Sequence, residues 1–266
     1  MTLMIIKIIV TISIVLGLSV IAERVSPRWA GLLGGYPLSV SIVLIFIAIE
    51  QGSEFGAQSA IHTLAGLIAN LSLFGAYGVI LSLRPQTHWL LCGLGSLSVF
   101  LGAGLILGQI HFTVGMAALA AIFYVIFCVL TFRRFVEMKI EKAVRLSFSV
   151  VFVRATAACF VVLAITGTAR LLGPEMAGVL ASFPATVFPM IVIVHLTYGA
   201  APVLAVLKHF PVGMGATVVF TIFFSSYVER LDVLWGTLGA FGLATIYLLG
   251  FSFVQEKMRR HKAGAL

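Results

Sequence analysis

Pro27-Arg28-Trp29-Ala30-Gly31-Leu32-Leu33-Gly34-Gly35-Tyr36-Pro37 recurs 147 residues later as Pro174-Glu175-Met176-Ala177-Gly178-Val179-Leu180-Ala181-Ser182-Phe183-Pro184. The coinciding positions are prolines, an Ala-Gly pair and a leucine. The same offset aligns Lys7 with Arg154, Gly52 with Gly199, His62 with His209 and Gly66 with Gly213. Apolar matches alone would carry little weight in a chain that is 61% hydrophobic, but helix-breaking and charged residues do not align cheaply. We read an internal duplication of a four-helix unit, which in membranes is above all a transporter signature.

Composition sets the class independently. A mean hydropathy of +1.16 with 10% charged residues excludes a water-soluble domain of 266 residues, because its surface would be covered in apolar side chains. The chain reads as an all-α polytopic membrane protein. Cys92, Cys128 and Cys159 fall in apolar runs, are odd in number and show no metal-ligand spacing, so neither a disulfide framework, a metal site nor a cofactor is expected.

Runs of about 20 apolar residues cross a hydrocarbon core roughly 30 Å thick. They fall near 3–22, 29–49, 61–83, 88–109, 112–131, 147–168, 176–198, 211–228 and 233–254. The 44 uncharged residues from His88 to Thr131 would make one helix about 66 Å long. That is too long for one crossing, and Gly108-Gln109-Ile110-His111 is the natural break. About nine spans result.

Nine spans place the termini on opposite sides, and basic residues choose between them. With the N-terminus outside, thirteen basic residues are cytoplasmic: Arg24, Arg28, Arg84, Arg133, Arg134, Lys139, Lys142, Arg145, Lys208, Lys257, Arg259, Arg260 and Lys262. Only Arg170 and Arg230 lie outside, while Lys7 and Arg154 sit inside spans. The positive charge is thus explained by orientation in a bacterial inner membrane with an anionic inner leaflet, and no nucleic acid is needed.

The expected organisation is a first four-helix repeat (residues 1–110), a linker helix and basic cytoplasmic loop (111–146), and a second repeat with a basic tail (147–266). The unduplicated linker helix makes the halves inverted copies. Inverted repeats suit alternating access, since exchanging the conformations of the halves exchanges outward-open and inward-open states. Ile5 to Ala22 could serve as a signal peptide, but it lacks a basic start and aligns with span six, so a retained helix is expected. Phe132 to Leu146 reads as a basic helical extension at the membrane surface.

The chemistry centres on the duplicated motif. Pro27 and Pro174 stand just before helices, where a missing N–H is harmless. Pro37 and Pro184 fall near mid-membrane, where each should free the carbonyl four residues earlier, at Leu33 and Leu180. Such groups are tolerated at that depth only inside protein or beside a water-filled cavity. Pro189 suggests that span seven is the more distorted. Gly31, Gly34, Gly35, Gly178, Ala181 and Ser182 permit close approach to the backbone. The expected substrate-binding set is Lys7, Gly34, Gly35, Tyr36, Pro37, Ser39, Ser41, Arg154, Ser182, Phe183, Pro184 and Thr186, with Tyr36 and Phe183 as aromatic walls. The competing reading is a pair of packed proline kinks without a ligand.

Lys7 and Arg154 either hold an anionic solute, gate the two mouths, or snorkel to the interface. Glu50 and His195 are the proton-coupling candidates. The small polar residues after Glu50 read as a solvated loop, and His62 and His209, at the starts of spans three and eight, read as interfacial anchors.

The Ala-Gly-x-x-x-x-aromatic-Pro pattern followed by a long apolar span and a glycine, over Ala30 to Gly52 and Ala177 to Gly199, resembles the small GlpM-type bacterial membrane proteins. Each half looks like one such unit of about four helices; the family is linked to alginate production and brings no catalytic residues. The layout is also loosely similar to drug/metabolite carriers built from four- or five-helix repeats.

An enzyme is not expected: His-Glu-x-x-His, Gly-x-Ser-x-Gly, a Walker loop and paired intramembrane carboxylates are all missing from the sequence. The first expectation is a secondary transporter for a small polar or anionic solute. The alternative is a non-transporting scaffold or accessory subunit of an envelope-assembly complex. The implied partners are the lipid bilayer and a small-molecule solute, with a homodimer left open.

Overall fold

In lipid a backbone must satisfy its own hydrogen bonds, which favours helices throughout. The computed structural model describes residues 2–24, 27–135 and 148–263. These form α1 Thr2–Arg24, α2 Pro27–Gly34, α3 Leu38–Gln51, α4 Ser53–Leu83, α5 Trp89–Leu107, α6 Val114–Phe132, α7 Phe148–Ala181, α8 Val187–Tyr198 and α9 Ala200–Ala263. Six apolar helical stretches among them are long enough to cross a membrane: Gly31–Gln51, Ser53–Leu83, Trp89–Leu107, Val114–Phe132, Val151–Ala181 and Ala200–Phe253. The chain is an all-α, multi-spanning membrane protein.

The break expected near Gly108 is present. Helices α5 and α6 are separate, and Thr113 caps the second by accepting a hydrogen bond from Met116 N–H at 3.3 Å. The 54 apolar residues of α9 would measure about 81 Å as one rod. The helix is instead interrupted at Asp232, where φ is 67° and Val233 N–H donates to Asp232 Oδ1. Helix α7 is likewise interrupted at Gly173, so Pro174 opens its second piece, residues 174–181, as the sequence suggested.

Two expectations need correction. The stretch after Glu50 is no solvated loop, because α4 starts at Ser53, and spans three and eight begin at Ser53 and Ala200 rather than near 61 and 211. The reason is Gly52 and, 147 residues later, Gly199. With φ of 99° and 80°, they turn the chain within one residue, a conformation glycine adopts without a Cβ penalty. Gly56 then packs so closely on α3 that a Cβ there would lie 2.6 Å from that of Ala48. Gly56 and Ser59, which look loop-like by composition, are packing residues here.

The middle of the molecule is built by α4 and the first piece of α9. Leu64, Leu67, Leu71 and Phe74 pack with Val203, Leu207 and Phe210. A second cluster joins Val40 to Ala48 of α3 with Val162 and Ile165 of α7 and Phe220 and Phe224 of α9. Helices α5 and α6 lie at the periphery and present Leu91, Leu105, Ile106, Leu119 and Phe123 outward, as lipid-facing helices do. Phe132 ends α6 and residues 133–135 form a turn. The rest of the expected basic extension, including Lys139, Lys142 and Arg145, lies outside the described residues.

Candidate functional site: two crossed helix breaks

Both motif prolines sit at full breaks rather than kinks. Pro37 is the residue before α3, and residues 182–186 separate α7 from α8. Leu33 and Leu180 carbonyls are not freed, contrary to expectation: each closes a tight turn, accepting Tyr36 N–H at 3.2 Å and Phe183 N–H at 2.9 Å. The break in span seven is the longer of the two, residues 182–186 against 35–37, as expected, although Pro189 itself falls in the first turn of α8, where its missing N–H needs no partner.

The backbone groups that the breaks do release are satisfied from the opposite half of the chain. Thr217 of α9 donates its hydroxyl to the Gly35 carbonyl at 2.6 Å, and Asn70 of α4 donates its amide to the Ser182 carbonyl. Both donors and both acceptors are related by the 147-residue offset. The glycine packing repeats the relation. A Cβ on Gly31 would meet Val206 O at 2.6 Å and His209 Cβ at 2.9 Å, while one on Gly178 would meet Ser59 O and His62 Cβ. Gly35 lies on Gly213, and Ser182 lies on Gly66, with its hydroxyl 2.8 Å from the Gly66 carbonyl. Each break is therefore clamped by the long central helix of the other half. Small residues at the crossing allow this backbone approach.

The two breaks also meet directly. Gly34, the last residue of α2, stands where a Cβ would be 3.5 Å from Val187, the first residue of α8. Around them Ser39, Ser41, Ser182, Pro184 and Thr186 are all buried. Ser41 donates to Leu38 O at 3.0 Å. Tyr36 and Phe183 pack rather than wall an opening: Tyr36 stacks on Phe241 and shares a 2.8 Å hydrogen bond with Thr245, and Phe183 meets Phe100 edge-on at 5.2 Å.

The cations lie elsewhere. Lys7 Nζ is 2.7 Å from Glu50 Oε2, donates to Thr166 Oγ1 at 2.6 Å, and sits 5.6 Å above the Phe46 ring. Two residues assigned separate roles from sequence thus form one partly buried ion pair joining α1, α3 and α7. Glu50 is twelve residues along α3 from its start, so the pair lies about 18 Å from the break. Arg154, in the first piece of α7, is 1% exposed and is the bulkiest of the fully buried side chains among the described residues. Neither cation reaches the surface.

His195 is 8% exposed and hydrogen-bonded to Tyr77 at 2.8 Å. His62 is no interfacial anchor: it sits well inside α4, 3% exposed, with Nδ1 at 3.1 Å from Gln58 O and its Cβ against Gly178. His209 likewise packs its Cβ on Gly31. The earlier helix start at Gly52 and Gly199 explains the shift inward. Sequence reading missed Asn70, Thr217, Thr63 and Tyr77. For Asn70 and Thr217 the signal existed, since both are polar residues inside apolar runs at the repeat offset.

Two grooves are open on the surface. One of about 570 Å³ lies among Ile45, Ile49, Ser53, Asp232, Leu234 and Thr237, and one of about 610 Å³ lies along α4, α5 and α6, with Ser72, Tyr124, Thr131 and Arg134 in its lining. Neither is lined by residues of the breaks. A scan of protein-family models, a search of curated proteins and a search of solved structures each return no match to this chain.

Proposed function

We propose that the protein is a secondary transporter whose two halves are inverted repeats, and that it moves a small polar or anionic solute by alternating access through the crossed breaks. One observation carries the reading: the reciprocal clamp, in which Thr217 and Asn70, like His209 and His62, serve the opposite break in repeat-related pairs. Such an exchange of contacts is what a two-fold axis between the halves produces, and a fold with that symmetry can reverse its asymmetry at little cost. The structure described above is then a closed conformation. The Lys7–Glu50 pair braces α1 and α3 to α7 near one mouth, and no catalytic step is involved. The N-terminus lies outside and the C-terminus in the cytoplasm, each half being a GlpM-like unit.

The test is solute counterflow. Purified protein is screened for solutes that raise its melting temperature, and each stabilising solute is loaded into proteoliposomes. Transient uptake of labelled solute against its gradient, driven by unlabelled solute inside, is expected. Stabilising solutes that show no saturable counterflow refute the transport reading.

A scaffold for an envelope-assembly complex is the second reading. It is favoured by the tightly packed centre and by the groove along α4 to α6, whose Ser72, Tyr124 and Arg134 offer polar contacts to a partner helix.

A further inference from the structure

The groove of about 610 Å³ along α4, α5 and α6 combines an apolar trough with a cation at one end. Small residues of α4, Gly75 and Ala76, form its floor, and the Phe132 ring of α6 stands where a Cβ on Gly75 would be 3.4 Å away. Its opening runs between Val79 of α4, Val99 of α5 and Phe127 of α6, all three exposed on the periphery of the bundle. No carboxylate is among its lining residues. From Leu71 to Ser82 the groove follows α4 for about 16 Å. That is close to half of a hydrocarbon core roughly 30 Å thick, the depth of one leaflet.

The cation stands at the end where both α4 and α6 finish. Arg134 is fixed there by the turn after α6, in which its N–H donates to Thr131 O at 3.1 Å and Phe135 N–H donates to Phe132 O at 3.0 Å. The Phe135 ring packs on Gly78, near the end of α4, so Arg134 shares its end of the bundle with Arg133 and with Arg84, the residue that follows α4. All three arginines are exposed. Among the described residues none of them has an ion-pair partner. Two hydroxyls line the groove beside them. Ser82 and Thr131 donate their protons to Gly78 O and Phe127 O, at 2.8 and 3.0 Å, and keep lone pairs that can accept from a ligand. Farther in, Ser72 and Tyr124 bond to each other at 2.7 Å.

We infer that this groove holds one acyl chain of an anionic phospholipid, of the phosphatidylglycerol type, with the lipid phosphate on Arg134. The trough suits the chain in polarity and in length. A guanidinium presents paired donors that match phosphate oxygens, and the glycerol hydroxyls of such a headgroup supply the donors that Ser82 and Thr131 can accept. A partner helix crossing the membrane would want a contact face about twice as long and would leave Arg134 without an anion. Basic pockets between spans at the inner leaflet, which carries the anionic lipids, are sites of this kind, and the basic-residue count places this end of the bundle there. The inference does not depend on whether the protein transports a solute.

The test uses full-length protein, delipidated in a nonionic detergent and titrated with phosphatidylglycerol or with phosphatidylcholine carrying the same chains. Bound lipid is counted by native mass spectrometry, which reports folded protein only. One phosphatidylglycerol is expected to bind saturably, roughly tenfold more tightly than phosphatidylcholine, the worth of one charge-assisted hydrogen bond at an exposed site. Arg134→Gln should erase that preference, Arg134→Lys should keep part of it, and Arg230→Gln, exposed but no part of the groove, should leave it unchanged. Val79→Trp fills the opening from an exposed position and should weaken the binding of both lipids. Equal affinity for the two lipids, a preference that survives Arg134→Gln, or binding untouched by Val79→Trp overturns the inference and leaves only ordinary contact with surrounding lipid. Full competition by glycerol phosphate, which has no chain, assigns the arginine to a free phosphate instead. A dimer that Val79→Trp disperses assigns the groove to a helix of a second copy. Either result also overturns the lipid site.

Discussion

Replacing Lys7 by methionine tests whether its charge braces the helices or merely sits there. The substitution keeps an apolar stem and deletes the ammonium, leaving Glu50 beside Thr166 with no cation. Breaking a buried ion pair from one side costs about 3–5 kcal/mol, because the remaining charge stays desolvated. Glu50 keeps 22% of its side chain exposed, so water recovers part of this and a loss of about 2–3 kcal/mol is expected. Glu50→Gln should cost more, about 3–4 kcal/mol, since the Lys7 side chain is only 5% exposed, with the Phe46 ring and the Thr166 hydroxyl as its remaining partners. Removing both charges should bring stability back to within about 1 kcal/mol of wild type, since a neutral pair carries no buried charge. The assay is reversible unfolding in mixed micelles by titration with denaturing detergent, read as a double-mutant cycle. A silent Lys7→Met, or a double variant whose loss equals the sum of the single losses, would refute the pairing and return Lys7 to an interfacial anchor.

Gly178→Ala should destabilise by about 1–3 kcal/mol in the same assay, since its Cβ would collide with Ser59 and His62; the repeat partner Gly31→Ala should behave alike, and a loss in only one would contradict the reciprocal clamp. Asn70→Leu and Thr217→Val each strip a buried carbonyl of its donor and are expected to cost about 1–3 kcal/mol, checked by melting temperature and by loss of counterflow. Cysteines introduced at positions 138 and 262 should resist a membrane-impermeant thiol reagent added to intact cells and react after permeabilisation; labelling of both without permeabilisation refutes the nine-span topology.

Sequence alone was enough for the membrane class, the 147-residue offset at which prolines and glycines recur, and the positions of the breaks. These rest on properties that act locally or accumulate along the chain: hydropathy over some 20 residues, the missing N–H of Pro37 and Pro184, and the rarity of matching glycines in an apolar chain. The break between α5 and α6 was legible for the same reason, as a length that no single crossing could hold. The tertiary structure decided the rest. That Lys7 and Glu50, 43 residues apart, neutralise each other depends on where α1 and α3 come to lie. That Gly52 turns the chain in one residue, converting an apparent loop into the start of α4, depends on a positive φ, which composition does not register. The carbonyls released at the breaks went to Asn70 and Thr217, more than a hundred residues away, because in lipid a backbone group takes whichever donor packing brings to it. Packing was also what left the buried hydroxyls of Ser39 and Thr186, inconspicuous in the chain, without hydrogen-bond partners.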